Sequence, residues 1–406
     1  MKEVLSVNIG IFTDTYYPEI NGVANSAYQL KNELEHRGHN VYVFTAANPN
    51  IKEKENNIYR MHSIPFILMR DRRFSFFLTK SWIKTVEALH LDVIHTQTEF
   101  CLGHMGRKLA KYLGIPLVHT YHTIYEDYTH YLHMPENLKI KEIVRIWSRN
   151  CCNKAELVIV PTEKVKKILK DYGVEKEIVV QPTGVDTSKF ALLENKMVQE
   201  LKTQYGLKPT DHILLFIGRL SKEKNIQELI EFVEIIHRTD KNVKLLIVGD
   251  GPEKLKLMEQ VEREGLNSNV IFTGEVEWKT IQNYYGIGDV FVCGSTSETQ
   301  GLTYIEALAS GKPLLVRRDE CLKGILQEGM NGYSYVSENE FIKQYKKLYD
   351  KNNRESMALA ARASSFQFTL DVFAQRIERA YQQVVYNHTL QIKEGGKSEP
   401  INQMVG

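Results

Sequence analysis

The chain of 406 residues lacks most of the features that would place it in a simple class. Its five cysteines (Cys101, Cys151, Cys152, Cys293, Cys321) are odd in number and form no C-x-x-C pair, which argues against a disulfide framework and suits reduced thiols in a cytosolic protein. No apolar run approaches the roughly 18–20 residues needed to span a bilayer. The opening stretch VNIGIFTDTYYP turns polar too soon for a secretory h-region with a cleavage site. The expectation is a protein that is soluble or rests on a membrane without crossing it. Net charge is also nearly absent: 52 Lys and Arg stand against 50 Asp and Glu, a formal +2. That gives no global pull toward nucleic acid, so any basic partner surface must be local. Neither half carries G-x-G-x-x-G followed by a ribose-binding acid, which argues against an oxidoreductase. No D-x-D triplet occurs, so the simplest arrangement for holding Mg²⁺ on a nucleotide diphosphate is missing.

What is present is alternation. Short β-branched runs (SVNIGIFT, NVYVFTA, LDVIHTQ, IPLVHTY, AELVIVPT) are separated by segments with helical spacing, such as 26–37 and 103–113. The pattern restarts at HILLFIGR and continues through VKLLIVGDG, NVIFTGEV, DVFVCGS and PLLVRR. Near-continuously apolar strands alternating with helices predict parallel sheets covered on both faces, and two series predict two doubly wound α/β domains. The length agrees, since one hydrophobic core seldom supports so long a chain. Expected boundaries are an N-terminal domain over 1–186, a C-terminal domain over 187–370, a helix over 371–390 returning to the N-terminal domain, and a polar tail over 391–406. Ligands of such sheets bind beyond the carboxyl ends of the strands, so the strand-end loops of the two domains are expected to face a central cleft.

The loop after HILLFIG reads RLSKEKN. Arg219 and Lys224 sit just before a helix expected to begin near Asn225, and a helix N-terminus with its free N–H groups already suits an anion. A guanidinium and an ammonium added there would suit a diphosphate; the plain alternative is a solvated loop. At 296–313 the chain reads TSETQGLTYIEALASGKP, with Glu298 and Glu306 eight positions apart around Gly301. Carboxylates there can accept hydrogen bonds from vicinal sugar hydroxyls, while the N–H groups of Gln300, Gly301 and Leu302 face a phosphate. The alternatives are a loop charge and a glutamate favoured by the helix dipole. FTDTYYPEINGVANSAYQL offers a single glycine, Gly22, opening a helix, which taken alone reads as a turn. LVHTYHTIYEDYTHYLH packs His119, His122, His130 and His133 together. The H-x-x-H spacing raises a metal, but the set lacks the cleaner ligand spacing of zinc sites, and a strand-end histidine in the cleft fits better, with a core histidine as the alternative.

Together these motifs resemble the family 4 retaining glycosyltransferases of the GT-B fold, in which two Rossmann-like domains face a central cleft. The likeness runs from about Val7 to Asn387. Glu298 and Glu306 match the family's E-x7-E, GRLSKEKN its phosphate loop, and YHT at 121–123 its aromatic-His-Thr strand end. The resemblance implies that Arg219 and Lys224 neutralise the diphosphate of a nucleotide sugar, Glu298 holds hydroxyls of the donor sugar and Glu306 those of the ribose. It implies that His122 lies by the reacting sugar, bonding a donor hydroxyl or the transition-state charge, that Gly22 lets the first loop approach the phosphates, and that the backbone near Glu275 and Val276 contacts the base. Family members retain anomeric configuration, generally without metal or other cofactor, and the leaving phosphate helps deprotonate the acceptor.

Within the family the likeness is to bacterial glycolipid synthases that glycosylate diacylglycerol. That implies transfer of a hexose, glucose from UDP-glucose, in α linkage to a membrane lipid, by an enzyme peripheral on the inner face of the cell membrane. Residues 60–84 agree independently: six Arg or Lys meet one acid. Arg70, Arg72 and Arg73 interleave there with Phe74, Phe76, Phe77 and Trp82, a composition suited to an anionic membrane interface. The alternative is aromatics packed in the N-terminal domain and solvated cations. A second candidate is KIKEIVRIWSR, with Lys141, Arg145 and Arg149 on one helical face. Rival functions are a same-fold transferase acting on a preformed glycolipid, a surface-polymer precursor or a protein, and a binding protein that holds nucleotide sugar or membrane without turnover.

Overall fold

A computed structural model describes residues 6–19, 21–49, 51, 55–66, 69–75, 79–126, 138–192 and 194–394; for 65–66, 69–74, 138 and 394 it describes the backbone alone. The chain divides into two compact units, one formed by Met1–Pro161, Val165–Gln181 and Phe373–Gly406, the other by Thr162–Lys164 and Pro182–Val372.

The first unit is built on strands β1 (Asn8–Phe12), β2 (Asn40–Ala46), β3 (Ile58–Met61), β4 (Ile64–Phe66), β5 (Met69–Phe74), β6 (Val93–Thr96), β7 (Leu117–Thr120), β8 (Leu157–Val160) and β9 (Glu177–Val180). Seven of them form a sheet in the order β3-β2-β1-β6-β7-β8-β9, every pairing parallel. β4 and β5 make a separate antiparallel ribbon. β6, β7 and β8 are buried at every position, as a strand covered by helices on both faces must be. The edge strands β3 and β9 are mostly part-buried, and each carries a charged residue, Arg60 and Glu177. The last helix, Leu370–Glu394, continues four residues past the expected end of the terminal helix. Phe373, Ile377, Tyr381 and Val384 recur on one helical face and pack with Ile9, Ile11, Val41 and Val93, so the chain's end completes the first unit's core.

The second unit holds β10 (His212–Ile217), β11 (Val243–Val248), β12 (Val270–Gly274), β13 (Val290–Cys293), β14 (Leu314–Arg317) and β15 (Gly332–Tyr335). They form one parallel sheet in the order β12-β11-β10-β13-β14-β15. From β10 the order steps outward to β11 and β12 on one side, and from β13 to β14 and β15 on the other. The loops after β10 and β13 therefore leave the sheet at its switch point, where a ligand crevice forms in open α/β sheets. In the first unit the same point lies between β1 and β6.

Candidate active site

The β10 loop and the β13 loop carry the two strongest sequence motifs and lie side by side. A Cβ added at Gly294, just past β13, would stand 2.7 Å from the carbonyl oxygen of Asn225, so a side chain there would force the loops apart. The phosphate loop runs from Gly218 through Arg219, which is exposed, into a short 3-10 turn, Lys222–Lys224. Asn225, at φ 49°, then turns the chain into the helix Ile226–Thr239. Asparagine is among the few residues that adopt this left-handed backbone readily.

From the facing loop the Glu298 carboxylate accepts a hydrogen bond from Lys224 Nζ, forming an ion pair whose side chains are 14% and 22% exposed. The loop is held from behind. Lys164 Nζ donates to the Glu298 carbonyl at 3.1 Å and to both Asp319 oxygens at 2.9 and 2.7 Å. The Thr162 hydroxyl donates to the Thr299 carbonyl at 2.8 Å. Gln300 is buried: its Oε1 accepts from Thr183 N at 2.9 Å and its Nε2 donates to the Thr183 carbonyl at 3.0 Å. That side-chain amide is spent on structure, and the backbone N–H groups of Gln300, Gly301 and Leu302 lead into the helix Leu302–Ala309. Gly301 starts this helix at φ 71°, a left-handed conformation that L residues other than Asn and Asp rarely adopt.

Glu306 lies in the body of that helix and is buried, not placed in an exposed first turn. Tyr285 donates its hydroxyl to Glu306 Oε2 at 2.6 Å. Burial lifts the Glu306 carboxyl to about 7; the Tyr285 hydrogen bond and then the charge of Lys189 work against that rise. Lys189 donates to the Trp278 carbonyl at 2.6 Å and rests over the Trp278 ring at 4.4 Å. Glu275 is exposed and Val276 part-buried, both just beyond the end of β12. Tyr285, Lys189 and Lys164 belong to the site and were not singled out from sequence. Each comes from an element distant in the chain, and a buried tyrosine or a surface lysine has no local signature.

In the first unit His122 follows β7. Its Nε2 lies 2.6 Å from Gln97 Oε1, and the Gln97 amide nitrogen is turned toward His95, 3.2 Å away. With a carboxamide oxygen as partner, Nε2 carries the proton. Burial holds the His122 pKa down to about 4, so the ring is neutral and Nδ1 is left as an acceptor. His119 points elsewhere: Nδ1 meets the Thr96 hydroxyl at 2.8 Å, and Nε2 lies 3.2 Å from Glu99 Oε1 but off the hydrogen-bonding line. The two described histidines of the cluster thus have separate partners; His130 and His133 lie outside the described residues. Among the described residues no group of three or more His, Cys, Asp or Glu could hold a metal. Gln97 and Glu99 were also missed, although the polar run HTQTEF at a strand's carboxyl end was there to be read. Gly22 is exposed and begins the helix Gly22–His36, capped by Asn21, whose side chain accepts from Ala24 N at 2.9 Å.

Arg70, Arg72, Arg73 and Phe74 belong to β5, described as backbone alone; Phe76 and Phe77 lie outside the described residues. Trp82 packs edge-on to Tyr59, at 6.3 Å between centroids, inside the first unit, which fits the packing alternative for this aromatic. The helix Leu138–Cys152 carries Arg145, paired with Glu126 at 2.7 Å, beside the exposed Ile143 and Ile146. No helix among the described residues is long and apolar enough to cross a membrane.

Two family models match the chain, Glycosyltransferase Family 4 over residues 20–189 and Glycosyl transferases group 1 over residues 197–364. An alpha-monoglucosyldiacylglycerol synthase of Streptococcus pneumoniae is 36% identical over 98% of this chain and 90% of its own length. A synthase of the same description from Acholeplasma laidlawii is 32% identical over 92% of this chain and 96% of its own. Among solved structures, Anabaena HepE in complex with UDP-glucose superposes with a TM-score of 0.73 at 19% identity, over 93% of this chain and all of that one. The chain therefore belongs to the family 4 glycosyltransferases and is a nucleotide-sugar-dependent hexosyltransferase of the GT-B fold.

Proposed function

We propose that this enzyme transfers glucose from UDP-glucose to a hydroxyl of 1,2-diacylglycerol with retention, giving the α-glucoside, while resting on the inner face of the cell membrane. The observation that carries this assignment is identity to two alpha-monoglucosyldiacylglycerol synthases along nearly the whole chain, combined with an intact Lys224, Glu298 and Glu306.

The chemistry assigned to each residue follows from its surroundings. A diphosphate arriving at the β10 loop competes with Glu298 for the Lys224 ammonium and gains a second cation in Arg219. Charge-assisted hydrogen bonds of this kind tighten as the leaving group gathers charge, which is how they lower a barrier and not merely bind. Glu298, released, accepts from hydroxyls of the glucose. Glu306 has one oxygen tied to Tyr285 and offers the other to a ribose hydroxyl. The backbone near Glu275 and Val276 is assigned to the base. These cations do the work that Mg²⁺ performs in enzymes with a D-x-D motif, so we assign the reaction no metal. Neutral His122 offers Nδ1 to a substrate hydroxyl. The leaving phosphate takes the acceptor proton, and no side-chain nucleophile is required.

Incubation with UDP-glucose or UDP-galactose, each with diacylglycerol vesicles, followed by product identification tests the assignment. A monoglucosyl lipid with an α linkage is expected. Transfer only to a preformed glycolipid, or to no lipid at all, would refute it.

A further inference from the structure

Glu306, the acid assigned to the ribose, stands in the helix Leu302–Ala309 among side chains that cannot answer a charge. Its neighbours Ile305, Ala307 and Leu308 are apolar and buried, and Glu306 itself is 5% exposed. A carboxylate taken out of water needs hydrogen bonds to its charged form, or it takes up a proton. Two residues outside both sequence motifs act on it. Tyr285, from the helix Ile281–Ile287, donates to Oε2 at 2.6 Å, and Lys189, from the helix Thr187–Ala191, acts through its charge. Arg362, from the helix Lys351–Ser365 packed on the same helix, lies instead by Gly311, beyond that helix's C-terminal end. Cys293 of β13 is hydrogen-bonded with Tyr304. No described residue donates to Glu306 Oε1, and that oxygen is not sealed in.

Tyr285 is fully buried, its ring edge-on to Phe190 at 5.4 Å and stacked with Phe291 at 6.0 Å. Packing accounts for the ring but not for its hydroxyl. A phenylalanine would fill the same space without burying a polar group, and here the hydroxyl meets Glu306 and, at 3.4 Å, the Thr303 carbonyl. Because the ring is held by its neighbours, its hydroxyl fixes Oε2 and with it the rotamer that leaves Oε1 open. Lys189 is anchored elsewhere, donating to the Trp278 carbonyl at 2.6 Å, so it steadies the charge without setting the direction of the carboxylate.

We propose that Tyr285 is a positioning residue of the donor site: its hydroxyl grips one oxygen of Glu306 so that the other stays turned to the ribose as an anion. The inference rests on the reading of Glu306 as the ribose acid. Tyr285 touches no substrate and acts only through Glu306.

The test is Tyr285→Phe, which deletes one atom and keeps the ring. Ionisation of Glu306 is read without donor from the infrared band of its protonated carboxyl, each protein minus its Glu306→Gln counterpart. UDP-glucose affinity is read by calorimetric titration between about pH 6 and pH 8.5. The ionisation midpoint should move to the alkaline side by about one pH unit, as for loss of a hydrogen bond to a charged acceptor. UDP-glucose should then bind roughly fivefold more weakly than to the wild type at pH 7, with the gap below about twofold at pH 8.5. A packing role predicts an unmoved midpoint and any loss equal at every pH. Should Tyr285→Phe lose its cooperative thermal transition, 3-fluorotyrosine at position 285, a stronger donor, must move the midpoint to lower pH. An unmoved midpoint, or a moved one with affinity unchanged at pH 7, would overturn Tyr285 alone. A moved midpoint in a chain whose wild type binds no UDP-glucose would overturn the donor reading of Glu306, and this proposal with it.

Discussion

The Lys224 ammonium is bound by the Glu298 carboxylate across two loops 74 residues apart in the chain, so the cation assigned to the diphosphate and the acid assigned to the sugar hold each other before the donor arrives. A double-mutant cycle on Lys224→Ala and Glu298→Ala should give a coupling of about 0.5–1 kcal/mol in the donor-free enzyme, the modest value of a partly solvated pair. With UDP-glucose saturating, the coupling should drop toward zero as the pair separates. Urea midpoints with and without donor measure both.

Glu306 sets a pH dependence whose sign follows from burial. Its folded pKa of about 7 exceeds the 4.5 of a free glutamate, so between those values the native state holds a proton that the unfolded chain has lost. Stability therefore falls as pH rises from 4.5 to 7, by about 1.4 kcal/mol for each unit the pKa is raised. Glu306→Gln should flatten this part of the thermal-midpoint profile. UDP-glucose has no group titrating near neutrality, and a ribose hydroxyl donates a stronger hydrogen bond to the ionised carboxylate than to the neutral acid. Donor affinity should rise several-fold from pH 6 to 8 in the wild type and stay level in the variant.

Gly301 is required by geometry. A Cβ there would lie 2.5 Å from the Tyr304 ring, on a backbone at φ 71°. Gly301→Ala should cost about 1–3 kcal/mol in chemical denaturation and weaken UDP-glucose binding, because the helix start it sets also aims the N–H groups of residues 301 and 302.

The basic ribbon tests the membrane assignment. Replacing Arg70, Arg72 and Arg73 by Gln should abolish flotation with anionic liposomes at low salt, and raising the salt should release the wild type. Salt-insensitive binding would contradict an electrostatic surface.

The sequence was most legible where both faces of a strand are covered. β1, β2, β6, β7, β8 and β10 to β14 announced themselves as apolar runs, whereas β3, β9 and β15 did not. All three sit at sheet edges, where one flank is open and polar residues are tolerated, although β12, also at an edge, was legible from its apolar Val270, Ile271 and Phe272. The motifs likewise pointed to the loops after β10 and β13, because Arg219 and Lys224, and Glu298 and Glu306, lie at short spacings in the chain. They did not show that Lys224 and Glu298 pair, nor that Tyr285 reaches Glu306 from another helix, since both contacts depend on which strands become neighbours. Nor did they show that the Gln300 side chain ties Thr183, a contact independent of the backbone N–H expected to meet a phosphate.

Calorimetric titration of UDP-glucose into the wild type, Lys224→Ala and Glu306→Gln tests the donor site most directly. Loss of a charge-assisted hydrogen bond is worth about 1.5–3 kcal/mol, so each variant should bind roughly 10- to 100-fold more weakly while keeping a cooperative thermal transition. Unchanged affinity in either folded variant would contradict the assignment.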